Sequence, residues 1–165
     1  MGMFDRTSWR EGARGSATGT AAAHAQPRTG KTMDQKAQIK STVDAMTSAF
    51  NKGDIAGVMR AYEPEAVVVG QPGVSVSGTE ALRAMFAGFV AAKAQFTFVG
   101  HEVIQAGDIA VHLTPWRMTG VAADGSAIAG DGLSVAVLRR QAEGRWLMVI
   151  DHAFGDSLLK QAASR

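Results

Sequence analysis

The sequence predicts an α+β domain in which helices come first and a curved antiparallel sheet follows. Three observations carry that expectation. Apolar residues recur at helical spacing as far as Val90, they alternate at period two after Lys93, and Gly- and Asp-containing turns punctuate the alternating half. Helices and strands segregated along the chain place helices on one face of an antiparallel sheet, unlike the alternating units of a parallel sheet.

Thr32-x-x-Gln35 has capping-box spacing, and Ile39, Val43, Met46 and Phe50 follow on one face of a first helix. Gly53 stands where a left-handed residue closes that helix. Asp54 caps a short second helix with Ile55, Val58, Met59 and Tyr62 on its inner face and Pro64 as its stop. "AVVVG" (66–70) reads as a short strand, and "QPGVSVSG" (71–78) as a turn with a second short run. Thr79 caps a third helix whose inner side is Leu82, Met85, Phe86, Phe89 and Val90. Strands are then expected over 94–105, 108–119, 127–140 and 145–153, with turns at Gly107-Asp108, Asp124-Gly125 and "QAEG" (141–144). In the last of these strands, period two puts Trp146, Met148, Ile150 and His152 on one face. Ile109, Val111, Leu113, Val135 and Val137 fall on the face away from the helices. That row is too apolar to stand in water, so a homodimer through it is expected.

A chain of 165 residues with 46% apolar and 19% charged residues suits one domain with a sizeable core. It has no cysteine, which excludes disulfides, thiol nucleophiles and thiolate metal sites. No apolar run approaches the roughly 18 residues of a membrane span, so no membrane partner is expected. Residues 1–33 carry Arg6, Arg10, Arg14, Arg28 and Lys31 against Asp5 and Glu11, a net of +3, and the remainder carries 12 basic and 13 acidic residues, a net of −1. The near-neutral body lacks the electrostatic footprint of a nucleic-acid binder.

Residues 1–33, rich in Gly, Ala, Thr and Arg, read as a flexible extension that cannot bury enough surface to order itself, and 157–165 as a C-terminal tail. Ala23-His24-Ala25 has the form of a signal-peptidase site without the apolar stretch that should precede it. A cytoplasmic location is therefore the default expectation, with export by a degenerate N-terminal signal left open. "AQPRTGKT" (25–32) fits a loosened phosphate loop, but Ala25 replaces the first glycine and no buried strand precedes it.

"AFNKGDIAGVMRAYEPEAVVV" (49–69), "SGTEALRAMFAGF" (77–89) and "VLRRQAEGRWLMVIDHAFGD" (137–156) resemble the nuclear transport factor two-like superfamily, and in particular its SnoaL-like and ketosteroid-isomerase-like bacterial members. The resemblance spans residues 34–156. It implies a cone, a bent sheet wrapped round three helices with an apolar pocket between them. It places Met46 where ketosteroid isomerases carry the oxyanion-stabilising tyrosine, Gly70 where they carry the general-base aspartate, and Ser134 near their second acid. Asp131 is the nearest carboxylate to that last position and reaches it only through a bulge, for which Gly130 and Gly132 give room. The isomerase set is therefore not reproduced.

The resemblance also implies the concave face: His112, Thr114 and Trp116 from one strand, and Trp146, Met148, Ile150, His152 and Phe154 from the end of the sheet. Candidate ligand contacts are these aromatic and apolar residues with Met46, Phe50 and Ser134, and Tyr62, which either offers its hydroxyl or packs its helix on the sheet. A histidine in an apolar cleft beside a carboxylate suits a general base near neutral pH, making His152, His112 and Asp131 the candidate catalytic groups. Asp108 or Asp151 is an alternative carboxylate, Asp151 being expected on the opposite face. His112, His152 and Asp131 lack metal-binding spacing, and no G-x-S-x-G elbow occurs, so neither a metal nor another cofactor is assigned. Two readings follow: a cofactor-free isomerase, cyclase or lyase moving a proton on an apolar carbonyl or cyclic ligand, or a non-catalytic binding or dimerisation module of the same fold.

Overall fold

In a computed structural model that describes residues 34–164, Asp34 opens the first helix, α1 (Gln35–Asn51), its carboxylate accepting the Lys36 amide at 3.1 Å. Thr32 and every expectation placed on residues 1–33 lie outside the described residues. Gly53, at φ 74°, turns the chain out of α1 as its position predicted, and Asp54 caps α2 (Ile55–Met59) by accepting the Gly57 amide at 2.8 Å. The second helix is shorter than expected. It stops at Met59, so Tyr62 leaves the helix and begins strand β1 (Tyr62–Gln71). Pro64 lies inside that strand, in the stretch between Tyr62 and Val67 where the ladder is irregular, consistent with a residue that has no N–H to donate.

β2 (Val74–Ser77) returns through a turn at Gly73 and leads into α3 (Thr79–Ala91), whose N-cap is Gly78 and not Thr79. Five strand segments follow: β3 (Gln95–Phe98), β4 (Glu102–Ala106), β5 (Ile109–Val121), β6 (Ala127–Arg140) and β7 (Trp146–His152). The residues expected to be a C-terminal tail include a helical stretch, α4 (Ser157–Ala163), with no buried residue.

The sheet order is β2-β1-β7-β6-β5-β3, with β4 beside β3 on the same edge of β5. All pairs are antiparallel except β1–β7, which are parallel: six other elements separate them along the chain, so no hairpin dictates their direction. The single strand expected over 94–105 is two, because Val99, Gly100 and His101 stand against only Thr114 and Pro115. α1 is tied to the edge of the sheet by Asn51, which donates to the Phe96 carbonyl at 2.8 Å and accepts the Phe96 amide at 2.9 Å. The Phe50 ring packs edge-on against Phe86 and Phe96, joining α1, α3 and β3 in one core. Among the described residues no helix is long and apolar enough to cross a membrane.

The sheet differs from the sequence expectation at two further places. In β7, Met148 pairs with Leu138 and Ile150 with Val137, so Val149 faces no residue of β6 and the strand changes phase. Trp146 and Met148 point inward at 1% exposure each, but Ile150 is 44% exposed and the next residue, Asp151, is buried at 9%. Conversely, β6 has no bulge at Gly130–Gly132. Its register with β5 is unbroken there, and the two glycines serve as the bed of the Trp116 indole.

A Cβ at Gly132 would lie 2.8 Å from the Trp116 ring, whereas one at Gly88, exposed on α3, would meet nothing within 4 Å. Gly132→Ala is therefore expected to lower the unfolding free energy by about 1–3 kcal/mol by displacing the indole. Gly88→Ala is expected to raise it by about 0.5–1 kcal/mol through helix propensity. Urea midpoints of the two variants check both signs.

Candidate functional site

The phase change in β7 sends Asp151 into the concave side of the sheet, where the first residue of β1 meets it. The Tyr62 hydroxyl donates to Asp151 Oδ2 at 2.7 Å, and Ser134 Oγ, from the inward face of β6, lies 3.4 Å from Oδ1. All three residues are buried. They stand at a cavity of about 260 Å³ between α1, α3 and the sheet, with Val68, Phe86 and Phe96 among its apolar walls. The cavity is apolar apart from this polar group, Thr47 and the backbone, with Asp131 at its rim.

Burial pushes the Asp151 carboxyl above the ordinary aspartate value of 3.8, against the downward pull of the Tyr62 and Ser134 hydrogen bonds and of His152. Burial also raises the Tyr62 phenol well above 10.0, and the Asp151 charge and hydrogen bond add to that rise. The pair is thus a carboxylate made more basic by its surroundings, held by a phenol that stays protonated. Such a carboxylate is suited to take a proton from a bound molecule, and its conjugate acid to return one.

Of the ligand contacts expected from the sequence, Met46, Phe50, Tyr62 and Trp116 line this cavity, as do Ser134, Met148 and Phe154. Trp116 donates from Nε1 to the Ala153 carbonyl at 2.6 Å and packs edge-on against Phe154, which fixes that wall. Trp146 lines instead a surface groove beside Arg60, Arg140 and Arg145, and Ile150 is turned to the outer face of the sheet by the β7 bulge.

The candidate catalytic residues do not converge. His152 follows the bulge and stands opposite Val135 on the outer face, its Nδ1 accepting the Phe154 amide at 3.1 Å. His112 is fully buried behind the cavity wall and bonded to His101. Asp131 reaches the cavity rim, but its side chain is 79% exposed and lies 3.9 Å from Lys160. Asp108, the other carboxylate considered, pairs with Arg140 at a hairpin turn.

The residue that sequence reasoning misplaced is Asp151. The available signal was the run Leu147–Met148–Val149–Ile150, four apolar residues in a row, across which an alternation has no defined phase. The three positions that the resemblance gives to isomerase acid–base groups, Met46, Gly70 and Ser134, do all line the cavity. A Cβ at Gly70 would stand 2.6 Å from Met85 Sδ, so a side chain there requires the Met85 thioether to move.

Solved structures of the same architecture accompany this geometry. A ketosteroid isomerase-like protein from Erwinia carotovora atroseptica shares 22% identity at a TM-score of 0.66, over 73% of this chain and 95% of that one. A protein with a cystatin-like fold from Caulobacter vibrioides shares 16% identity at a TM-score of 0.63, over 78% and 96%. A nuclear transport factor two-like superfamily protein from Salmonella enterica shares 18% identity at a TM-score of 0.60, over 72% and 88%. At such identities the likeness is one of fold. Comparison with curated proteins returns no match. The family model of the SnoaL-like domain matches residues 43–148, from the middle of α1 to the inward-facing Met148 of β7, and the chain belongs to that family.

Proposed function

We propose that the cavity binds a small apolar molecule bearing a carbonyl or hydroxyl group, and that Asp151 moves a proton on it. The observation that carries this reading is the Tyr62–Asp151 hydrogen bond buried at the polar end of an otherwise apolar cavity. About 260 Å³ lies just under the usual size range of small-molecule sites, which favours a compact ligand. In the reaction, an Asp151 carboxylate oxygen accepts the proton from a carbon next to the ligand carbonyl, the C–H electron pair passes into the enolate, and the same oxygen returns the proton to that or a conjugated carbon. Tyr62 orients the carboxylate and donates to it. No cofactor enters this balance. The ketosteroid isomerase-like neighbour is consistent with proton transfer of this type, and it does not extend the activity to this chain.

A second reading, binding without turnover, draws on Met46, Gly70 and Ser134 at the three positions where the isomerase set would stand. The two separate in heavy water. The probe is a panel of monocyclic and bicyclic ketones, with deuterium uptake beside the carbonyl followed by NMR. Asp151→Asn is expected to lose about 10²–10⁴-fold in exchange rate, and the wild-type rate to rise with pH through the raised Asp151 value, because the base acts when deprotonated. Ketone binding with no exchange in the wild type establishes the second reading.

The partner we propose is a second copy of the chain. The β7 bulge adds Ile150 to a cross-strand row on the outer face made of Ile104, Val111, Val137 and Val67. Ile104 and Ile150 are 57% and 44% exposed, a contiguous apolar strip that supports pairing. Sedimentation is expected to give twice the chain mass, reduced to the single mass by Ile150→Lys; a monomeric wild type contradicts it.

A further inference from the structure

His101 and His112 take no part in the chemistry proposed for the cavity, yet their two imidazoles are hydrogen-bonded to each other. The extra residue opposite Thr114 and Pro115 lets the Val99–His101 loop carry its histidine to α1. There His101 Nε2 lies 3.6 Å from Asp44 Oδ1, and Asp44 is itself paired with Lys40. On the other side, His101 Nδ1 lies 2.9 Å from His112 Nε2. His112 is fully buried, and its Nδ1 has no hydrogen-bond partner.

That orphan nitrogen decides the direction of the chain. Only one hydrogen fits between the two rings. If His112 Nε2–H donates to His101 Nδ1, then His101 Nε2–H faces the Asp44 carboxylate and His112 Nδ1 is a bare acceptor. The reverse arrangement puts an N–H on His112 Nδ1 with nothing to receive it and turns a lone pair of His101 toward a carboxylate. A buried unpaired N–H is the rarer and costlier defect, so the chain runs from His112 through His101 to Asp44.

We propose that Asp44, His101 and His112 form a proton-sensing latch: a proton taken up by His101 is met by the Asp44 carboxylate, reverses the bond between the rings, strands an N–H inside the core at His112, and loosens the Val99–His101 loop from β5. The loop is next to the cavity. Phe98 lines it and packs edge-on against the His101 ring at 6.0 Å. His112 also shares an inward cross-strand row with Asp151, with only Ala136 between them, a separation of about 10 Å by strand spacing. Acid therefore loosens the Phe98 corner of the cavity, whether or not Asp151 transfers protons.

The charged groups that act on both rings are Asp44 and Lys40 of α1, Asp44 favouring the protonated forms and Lys40 opposing them, and His101 in turn disfavours a proton on His112. Burial lowers His101 below 6.5 and is the largest cause of the fall of His112 to about 4. Both values are depressed, so the closed state binds fewer protons than the open one below pH 6.5. Its stability is complete above 6.5 and is lost as pH falls toward 4.

Long-range nitrogen–proton NMR on the full-length chain reads the tautomers directly. At neutral pH both rings are expected in the Nε2–H form, with His112 still neutral when His101 has begun to titrate. The Val99 amide, which donates to the Pro115 carbonyl at 2.9 Å, supplies the second readout. Its protection, corrected for intrinsic exchange, is expected to fall roughly tenfold or more between neutral pH and pH ~5, and His101→Gln is expected to abolish that dependence. A His112 Nδ1–H tautomer at neutral pH, or protection of Val99 that follows pH equally in His101→Gln, overturns the latch.

Discussion

Val149 has no residue opposite it on β6, and that one unpaired position sets which side chains the end of β7 delivers to the core. Because strand faces alternate at period two, a single extra residue exchanges them. Before it, Trp146 and Met148 point inward; after it, Asp151 does, and Ile150 and His152 are turned outward. A regular strand would bury Ile150 against the helices and leave Asp151 outside. Tyr62 would then have a buried hydroxyl and no carboxylate to receive it. The bulge therefore accounts at once for the polar end of the cavity, for its partner tyrosine, and for the apolar row on the opposite face.

Around that carboxylate, the walls are held by contacts that tolerate little change. Trp116 lies on Gly132 and is fixed through its Nε1 to the Ala153 carbonyl, and Met85 occupies the space a side chain at Gly70 would need. Asn51 holds β3, and with it Phe96, to the end of α1. The Trp116 indole packs against Phe96 in turn, so one aromatic series runs from the helices to the cavity. Such a cavity keeps water from Asp151, and exclusion of water is what raises its proton affinity.

Much of this was legible in the sequence. The order of helices and strands, the turns at Gly53, Gly107, Gly125 and Gly144, and seven cavity-lining residues follow from periodicity, turn chemistry and the family resemblance, because each is a local property or a shared one. What escaped was phase. Tyr62 was assigned to a helix because Ile55, Val58 and Met59 lead into it at helical spacing, yet its burial beside Asp151 depends on pairing with a strand more than eighty residues away. The β7 bulge lies in a run of four apolar residues that carries no alternation. The glycines flanking Asp131, expected to permit a bulge, accommodate an indole from the neighbouring strand. The histidine pair is close in sequence but was hidden by phase as well: His101 depends on one extra residue in a loop that reads from sequence as uninterrupted strand.

The central claim, that the bulge places Asp151 in the cavity under the control of Tyr62, is tested most directly by carbon NMR titration of the Asp151 carboxyl in the wild type and in Tyr62→Phe. The account predicts titration above 3.8 in the wild type and higher still in Tyr62→Phe, because the hydrogen bond that opposes burial has been removed. A carboxyl that titrates at or below its ordinary value, or that does not respond to the loss of the Tyr62 hydroxyl, would contradict it.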